Sequence, residues 1–281
     1  MPLVTMKELL DAASKGNYAV GAFNIGNLEH IIGAIEAAQD MNTPIILQLA
    51  EGRLKYFPMH MVAPMMIEAA KKSKVDIAVH LDHGRSRDVI KEAIKYKFTS
   101  IMFDGSNLPY EENVQKTKEY ATVAKFFDVN IEAELGVVGG NEGTTVNGEI
   151  RCTDPQEALD FYERTGIDAL AVAIGNAHGN YITQPKLNFE VLEQIHKLVD
   201  IPLVLHGGTG ISDEDFRRTI NLGIRKINIA TALLDGLTKK AKEYCLSDTD
   251  HRFFGLRDKM IEGTYEQVKH HIKVFNNKEP F

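Results

Sequence analysis

Eight short runs of apolar and β-branched residues recur along the chain, at 18–23, 44–49, 75–81, 99–103, 129–135, 168–174, 201–205 and 226–229. Each is followed by a longer segment with helical periodicity, near 28–40, 60–72, 86–96, 111–126, 155–165, 188–199, 213–222 and 232–245, with one more at about 253–275. Asp154 and Ser212 stand where N-caps are needed, and Pro155 suits a first helical turn. Strict alternation of strand and helix makes a parallel sheet, because each crossover must carry the chain back to the same edge. Eight such units in 281 residues predict a closed (β/α)8 TIM barrel of the α/β class. The barrel is expected to be a single domain over 1–281, with a C-terminal helical extension from about 250 to 281. The one long irregular stretch, 136–152, is Gly-rich and polar and is expected to be a loop that acts as an active-site lid.

The bulk properties exclude several classes. A net charge of -7, with no dense Lys/Arg run, leaves no footprint for nucleic acid. No apolar stretch reaches the roughly 18 to 20 residues that cross a bilayer, and the first residues lack the pattern of a signal peptide. Two cysteines, Cys152 and Cys245, give neither a disulfide framework nor metal-type spacing, so the expected setting is the cytoplasm.

In a barrel the carboxyl ends of the strands build the active site. The third run ends in His80-Leu81-Asp82-His83-Gly84, the sixth leads into Gly175-Asn176-Ala177-His178-Gly179, and the seventh ends in His206-Gly207-Gly208-Thr209-Gly210. A single histidine is ordinarily a structural residue, but three strand ends that each present His before Gly bring imidazoles to one axial cavity. His83, His178 and His206 are therefore the expected metal ligands, and three neutral imidazoles suit zinc better than magnesium or calcium. His80, one strand repeat deeper, is expected in the core. Gly179, Gly207, Gly208, Thr209 and Thr231 follow the last three runs, where backbone N–H groups can approach a phosphate closely. Lys226 shares side-chain parity with Asn228 but lies one repeat further in, about 6.6 Å. It is expected to pair inside the barrel with Glu132, not to serve as a Schiff-base lysine.

These segments, together with 18–24, 132–136, 139–142 and 226–228, resemble in order the class II, metal-dependent aldolases of fructose and tagatose bisphosphates. The resemblance covers nearly the whole chain. It implies a catalytic zinc on His83, His178 and His206, with Glu134 as a secondary metal ligand and Na⁺ or K⁺ as a further cation. It also implies that Asp82 protonates or polarises the aldehyde carbonyl oxygen, that Glu142 is the general acid/base, and that Asn228 helps hold the enediolate. Asn24, Gly179, Gly207, Gly208, Thr209, Ala230 and Thr231 would contact the sugar phosphate, and Arg252 would reach a neighbouring subunit's site in a homodimer or homotetramer. Ala50 and Ala230 depart from the fructose-type pattern, so fructose, tagatose and other ketose phosphates stay open as substrates. Two rivals are a metal-dependent hydrolase on the same barrel and a non-catalytic sugar-phosphate-binding subunit. The first is weakened by the absence of His-x-His on the first run, the second by the presence of both Asp82 and Glu142.

Overall fold

The computed structural model describes residues 2–145, 151–180, 185–247 and 252–278, the side chains of 141–145 and of Asn180 excepted. The predicted alternation is the observed order. After α1 (Met6–Gly16) come β1 (Val20–Asn24), α2 (Leu28–Asp40), β2 (Ile45–Ala50), α3 (Met59–Lys72), β3 (Ile77–Gly84), α4 (Arg87–Lys95), β4 (Ser100–Phe103) and α5 (Tyr110–Phe126). The chain continues through β5 (Asn130–Leu135), β6 (Gly139–Thr145), α6 (Pro155–Thr165), β7 (Ala169–Val172), β8 (Ala177–Asn180) and α7 (Phe189–Leu198). It ends with β9 (Leu203–Leu205), α8 (Asp213–Asn221), β10 (Ile224–Ile229), α9 (Thr231–Cys245) and α10 (Phe253–Phe275). Asp154 and Ser212 cap α6 and α8 as expected, each accepting from backbone N–H groups of the first turn.

Eight strands close the barrel in the order β1-β10-β9-β7-β5-β4-β3-β2, every pair parallel. Side chains alternate across each strand, so one set faces the axis and the other faces the helices. The outward set, with Phe23, Leu47, Val79, Ile101, Leu170 and Leu205 among it, packs on the inner faces of the helices. The inward set is layered. Val20, Ala22, Ile46, Ala78, Ala169, Ala171 and Val204 form an apolar base, and Met6, Leu9, Leu10 and Ala13 of α1 plug it from below. Above that base the axis is polar and buried, with Gln48, His80, Ser100, Glu132 and Lys226 all at 0 % exposure. The expected pair is present: Lys226 Nζ lies 2.8 Å from Glu132 Oε2. His80 is interior as well, its Nδ1 2.8 Å from Ser100 Oγ.

One expectation changes. The stretch at 136–152 is not irregular throughout: β6 pairs in parallel with β8, Gly140 opposite His178, as a two-stranded sheet separate from the barrel. Residues 146–150 lie outside the described residues. The C-terminal segment holds the helix α10. α10 packs against both α9 and α2 and completes the outer layer. At its crossing with α9, a Cβ on Gly236 would meet the Gly263 carbonyl at 2.8 Å, so only glycine lets the two backbones approach this closely. No helix among the described residues is long and apolar enough to cross a membrane.

Candidate metal centre and phosphate cavity

Asp82 and His83 are consecutive on β3, and consecutive strand residues normally face opposite sides. The register with β4 shifts between Leu81 and Gly84, and His83 takes φ 47°, a left-handed backbone that few non-glycine residues adopt. The bulge turns both side chains toward the axis, the re-aiming that bulges beside functional sites provide. Strain held at such a position is often tied to function.

Each expected ligand arrives from a different strand. His83 comes from β3, His178 from β8 and His206 directly after β9, and one ligand atom from each lies within 4.8 Å of the others. The imidazoles meet edge to face, with centroids 4.7 to 5.8 Å apart. His83 Nε2 and His206 Nδ1 face each other at 3.0 Å, while their far nitrogens lie against carboxylates: His83 Nδ1 is 3.0 Å from Asp104 Oδ2, and His206 Nε2 is 2.8 Å from Glu132 Oε1. An imidazole that donates its far N–H to a carboxylate presents a lone pair at the near nitrogen, as in metal sites. Two lone pairs cannot face each other this closely without a proton or a cation between them. Adjacent ligands of a tetrahedral zinc stand about 3.3 Å apart, so this donor set fits such an ion.

The electrostatics agree with that fit. Burial, with the charge of His83 and then His206, holds His178 well below the usual histidine range, and burial lowers His206 against the pull of Glu132. Burial also opposes charge on His83, but Asp82, Asp104 and Glu134 outweigh it and raise it to about 10. One proton thus stands where a metal's charge would stand. Burial opposes ionisation of Asp104 and Glu132 too, yet His83, Ser106 and Arg85 hold Asp104 well below the carboxylate range, and Lys226 and the histidines do the same for Glu132. Glu134 is the exception, raised to about 8 by burial and by Asp104. Its Oε2 lies 3.9 Å from His83 Nδ1, and with His83 and Asp104 it forms a second group able to hold a metal.

Asp82 is clasped by two amides. Asn24 Nδ2 donates to Oδ2 at 2.8 Å and Asn228 Nδ2 to Oδ1 at 3.1 Å, while Gln48 Nε2 donates to Asn24 Oδ1 at 2.7 Å. Burial opposes charge on Asp82, but the charges of His83, His206 and Lys226, with the Asn24 hydrogen bond after them, outweigh it and lower its pKa.

Beside the histidines lies a small cavity lined by His178, Gly179, Gly207, Gly208, Thr209, Asn228, Ala230 and Thr231. Gly207 has φ 63°, and a Cβ there would run into the Ala177 carbonyl, so the turn needs glycine to pass this close to β8. α9 begins at Thr231 with no side-chain cap from Ala230, and Thr209 Oγ1 accepts from Ala232 N–H at 3.1 Å. A helix start opening on a cavity favours an anion. Glu142 belongs to β6, the partner of the strand that carries His178, but its side chain lies outside the described residues. Arg252 is exposed at the start of α10, its N–H donating to Tyr244 Oη at 2.9 Å. Asp104, Arg85 and Gln48 are site residues that the sequence reading missed.

The comparisons with known proteins point the same way. The family described as "Fructose-bisphosphate aldolase class-II" matches residues 4–280. Fructose-bisphosphate aldolase of Staphylococcus aureus is 41 % identical over 98 % of both chains, and that of Geobacillus stearothermophilus 43 % identical over 88 % of both. Among solved structures, the YdjI aldolase from Escherichia coli K12 superposes with a TM-score of 0.88 at 36 % identity, covering 97 % of each chain. With a barrel, a histidine cluster and a glycine-lined cavity in this arrangement, the chain belongs to the class II fructose-bisphosphate aldolase family of carbon-carbon lyases.

Proposed function

We propose that the protein reversibly cleaves a ketose 1,6-bisphosphate of the fructose or tagatose type to dihydroxyacetone phosphate and glyceraldehyde 3-phosphate. The observation that carries this reading is the meeting of His83, His178 and His206 beside both the amide-clasped Asp82 and the glycine-lined cavity. Those three histidines would hold zinc, with Glu134 as a secondary ligand and Na⁺ or K⁺ near the cradle. When bound, zinc supplies positive charge against which negative charge on the substrate's carbonyl oxygen can develop.

The remaining work falls to the chain. In cleavage, Asp82, ionised between Asn24 and Asn228, accepts the proton of the hydroxyl on the carbon that becomes the aldehyde. The electron pair of the breaking carbon-carbon bond passes to the three-carbon fragment, whose carbon then takes a proton from Glu142. In condensation the same groups act in reverse, Glu142 as base and Asp82 as acid. Asn228 presents its amide N–H beside the histidines, where charge on the fragment is greatest. Gly179, Gly207, Gly208, Thr209 and Thr231 hold the phosphate of that fragment. Ala230 gives this cavity a methyl group, so it lacks one polar contact by which epimeric sugars could be told apart. Arg252 would serve the site of a neighbouring copy in a homodimer or homotetramer. The exposed Phe253 and Phe254 beside it offer apolar area that such a copy would cover.

The test is triose phosphate release from a panel of ketose phosphates, before and after EDTA and again after zinc is restored. Loss and recovery of cleavage, with fructose or tagatose bisphosphate as the best substrate, is expected. Cleavage that survives chelation and is trapped by borohydride would replace this mechanism with a Schiff base.

A further inference from the structure

Lys226 is fully buried on β10, one repeat below Asn228, and it makes one ion pair and one hydrogen bond. Its Nζ is 2.8 Å from Glu132 Oε2 and donates to Asn228 Oδ1 at 2.7 Å. A buried ion pair is costly to desolvate, and apolar residues of similar volume often pack as well, so stability alone is a weak reason for a lysine here. The geometry supplies a better one. An ammonium has donors only, which forces the orientation of whatever it touches.

On one side, Asn228 must turn its oxygen to Lys226, so its NH2 group faces away. That group lies 3.1 Å from Asp82 Oδ1 and 3.3 Å from His206 Nε2. A flipped amide would set NH2 against the ammonium and oxygen against the Asp82 carboxylate, two repulsions in place of two attractions. On the other side, Glu132 Oε2 stands 2.8 Å from the Lys226 ammonium as an ion pair, which leaves Oε1 to accept from His206 Nε2–H at 2.8 Å. The proton of His206 is thereby fixed on Nε2, and its lone pair on Nδ1 points at His83. His80, whose Nε2 is 3.8 Å from Glu132 Oε2, is also packed against the pair, and burial with the charge of Lys226 lowers its pKa. Asp82 and Glu134 carry the other titratable charges that act on the pair.

We propose that Lys226 is a positioning residue: through Glu132 it sets the tautomer of His206, and directly it sets the amide direction of Asn228, without itself touching the substrate. The inference rests on the aldolase reading for its kinetic consequence, but not for its structural one. Two of the three measurements below therefore need no turnover, and a failure of the aldolase reading would show separately as a wild type that cleaves no ketose phosphate.

The experiment compares wild type with Lys226→Met and with the double variant Glu132→Gln/Lys226→Met, which removes both buried charges and so guards against simple misfolding of the single variant. Long-range proton-nitrogen NMR on protein labelled with ¹⁵N-histidine reads the His206 tautomer, competition with a chromophoric chelator reads zinc affinity, and steady-state kinetics separate kcat from KM. The wild type is expected to hold His206 as the Nε2–H tautomer. In both variants that preference is lost, zinc affinity falls about 10- to 100-fold, and kcat falls about 100-fold while KM changes little. Either of two results overturns the proposal: an unchanged tautomer with kcat within about 3-fold of wild type in Lys226→Met, or wild-type kcat in the double variant, which would mean that the lysine only neutralises Glu132.

Discussion

Nδ1 of His83 lies 3.0 Å from Oδ2 of Asp104, on the adjacent strand end, and the same oxygen takes Nε and Nη2 of Arg85 at 3.0 and 2.7 Å. A carboxylate so placed orients the imidazole and raises its basicity toward whatever Nε2 faces. Asp104→Asn keeps the shape and one acceptor but removes the charge. Zinc affinity should fall about 10- to 100-fold with little change in fold, measured by chelator competition and circular dichroism. An affinity equal to wild type would mean that Asp104 serves only to hold Arg85.

The barrel and most of the candidate site were legible because their signals are local. Each strand end carries its own motif, and side-chain parity alone was enough to pair Lys226 with Glu132. Asp104 was missed because it stands in Asp104-Gly105-Ser106, which reads as an ordinary turn, and Ser106 does bond back to it as in one. Its signal was positional: it follows the strand that neighbours β3, so it had to lie near His83. The β6 strand was missed because Gly139 to Thr145 has turn composition and, among the described residues, pairs with β8 alone, a contact that composition cannot announce. Nor could sequence show the bulge at His83, since a histidine at φ 47° is set by tertiary packing rather than propensity.

Glu142 sits in β6, whose partner strand carries His178, so the loss of its carboxylate should affect proton transfer and not metal binding. Glu142→Ala is expected to retain zinc while exchange of the dihydroxyacetone phosphate proton slows by about 100-fold or more. The exchange is followed by NMR in deuterium oxide and the metal by elemental analysis. Exchange at the wild-type rate would remove Glu142 from the mechanism.

Thr209 bridges the candidate phosphate cavity and the start of α9, accepting from Ala232 N–H at 3.1 Å while its own hydroxyl proton remains available for an anion. Thr209→Val preserves shape and removes both interactions. KM should rise about 10-fold, as for loss of a hydrogen bond to a charged group, with kcat nearly unchanged, and the lost cap should cost about 1 kcal/mol of stability. A variant whose kcat falls while KM stays constant would move Thr209 from phosphate binding to the chemistry.

His271 on α10 predicts an acid-labile fold independent of the metal centre. Its ring is packed among Phe23, Phe216 and Phe275, and its Nδ1 donates to the Gln267 carbonyl at 2.7 Å. Burial is the largest influence on it and, with the charge of His270 alongside, outweighs that hydrogen bond and the more distant Asp213, so its pKa falls from the usual 6.5 to about 4. Between those values the unfolded chain binds a proton that the folded chain refuses. The contribution is therefore fully present above pH 6.5 and is lost as pH falls toward 4. A displacement of that size corresponds to about 3 kcal/mol. His271→Phe should lose less stability than wild type on acidification from neutrality to about pH 4.5, by up to roughly that amount, both proteins being unfolded in urea after chelation so that metal release adds nothing. Parallel stability curves for the two would show that the imidazole is not protonated on unfolding in this range, and that acid acts elsewhere.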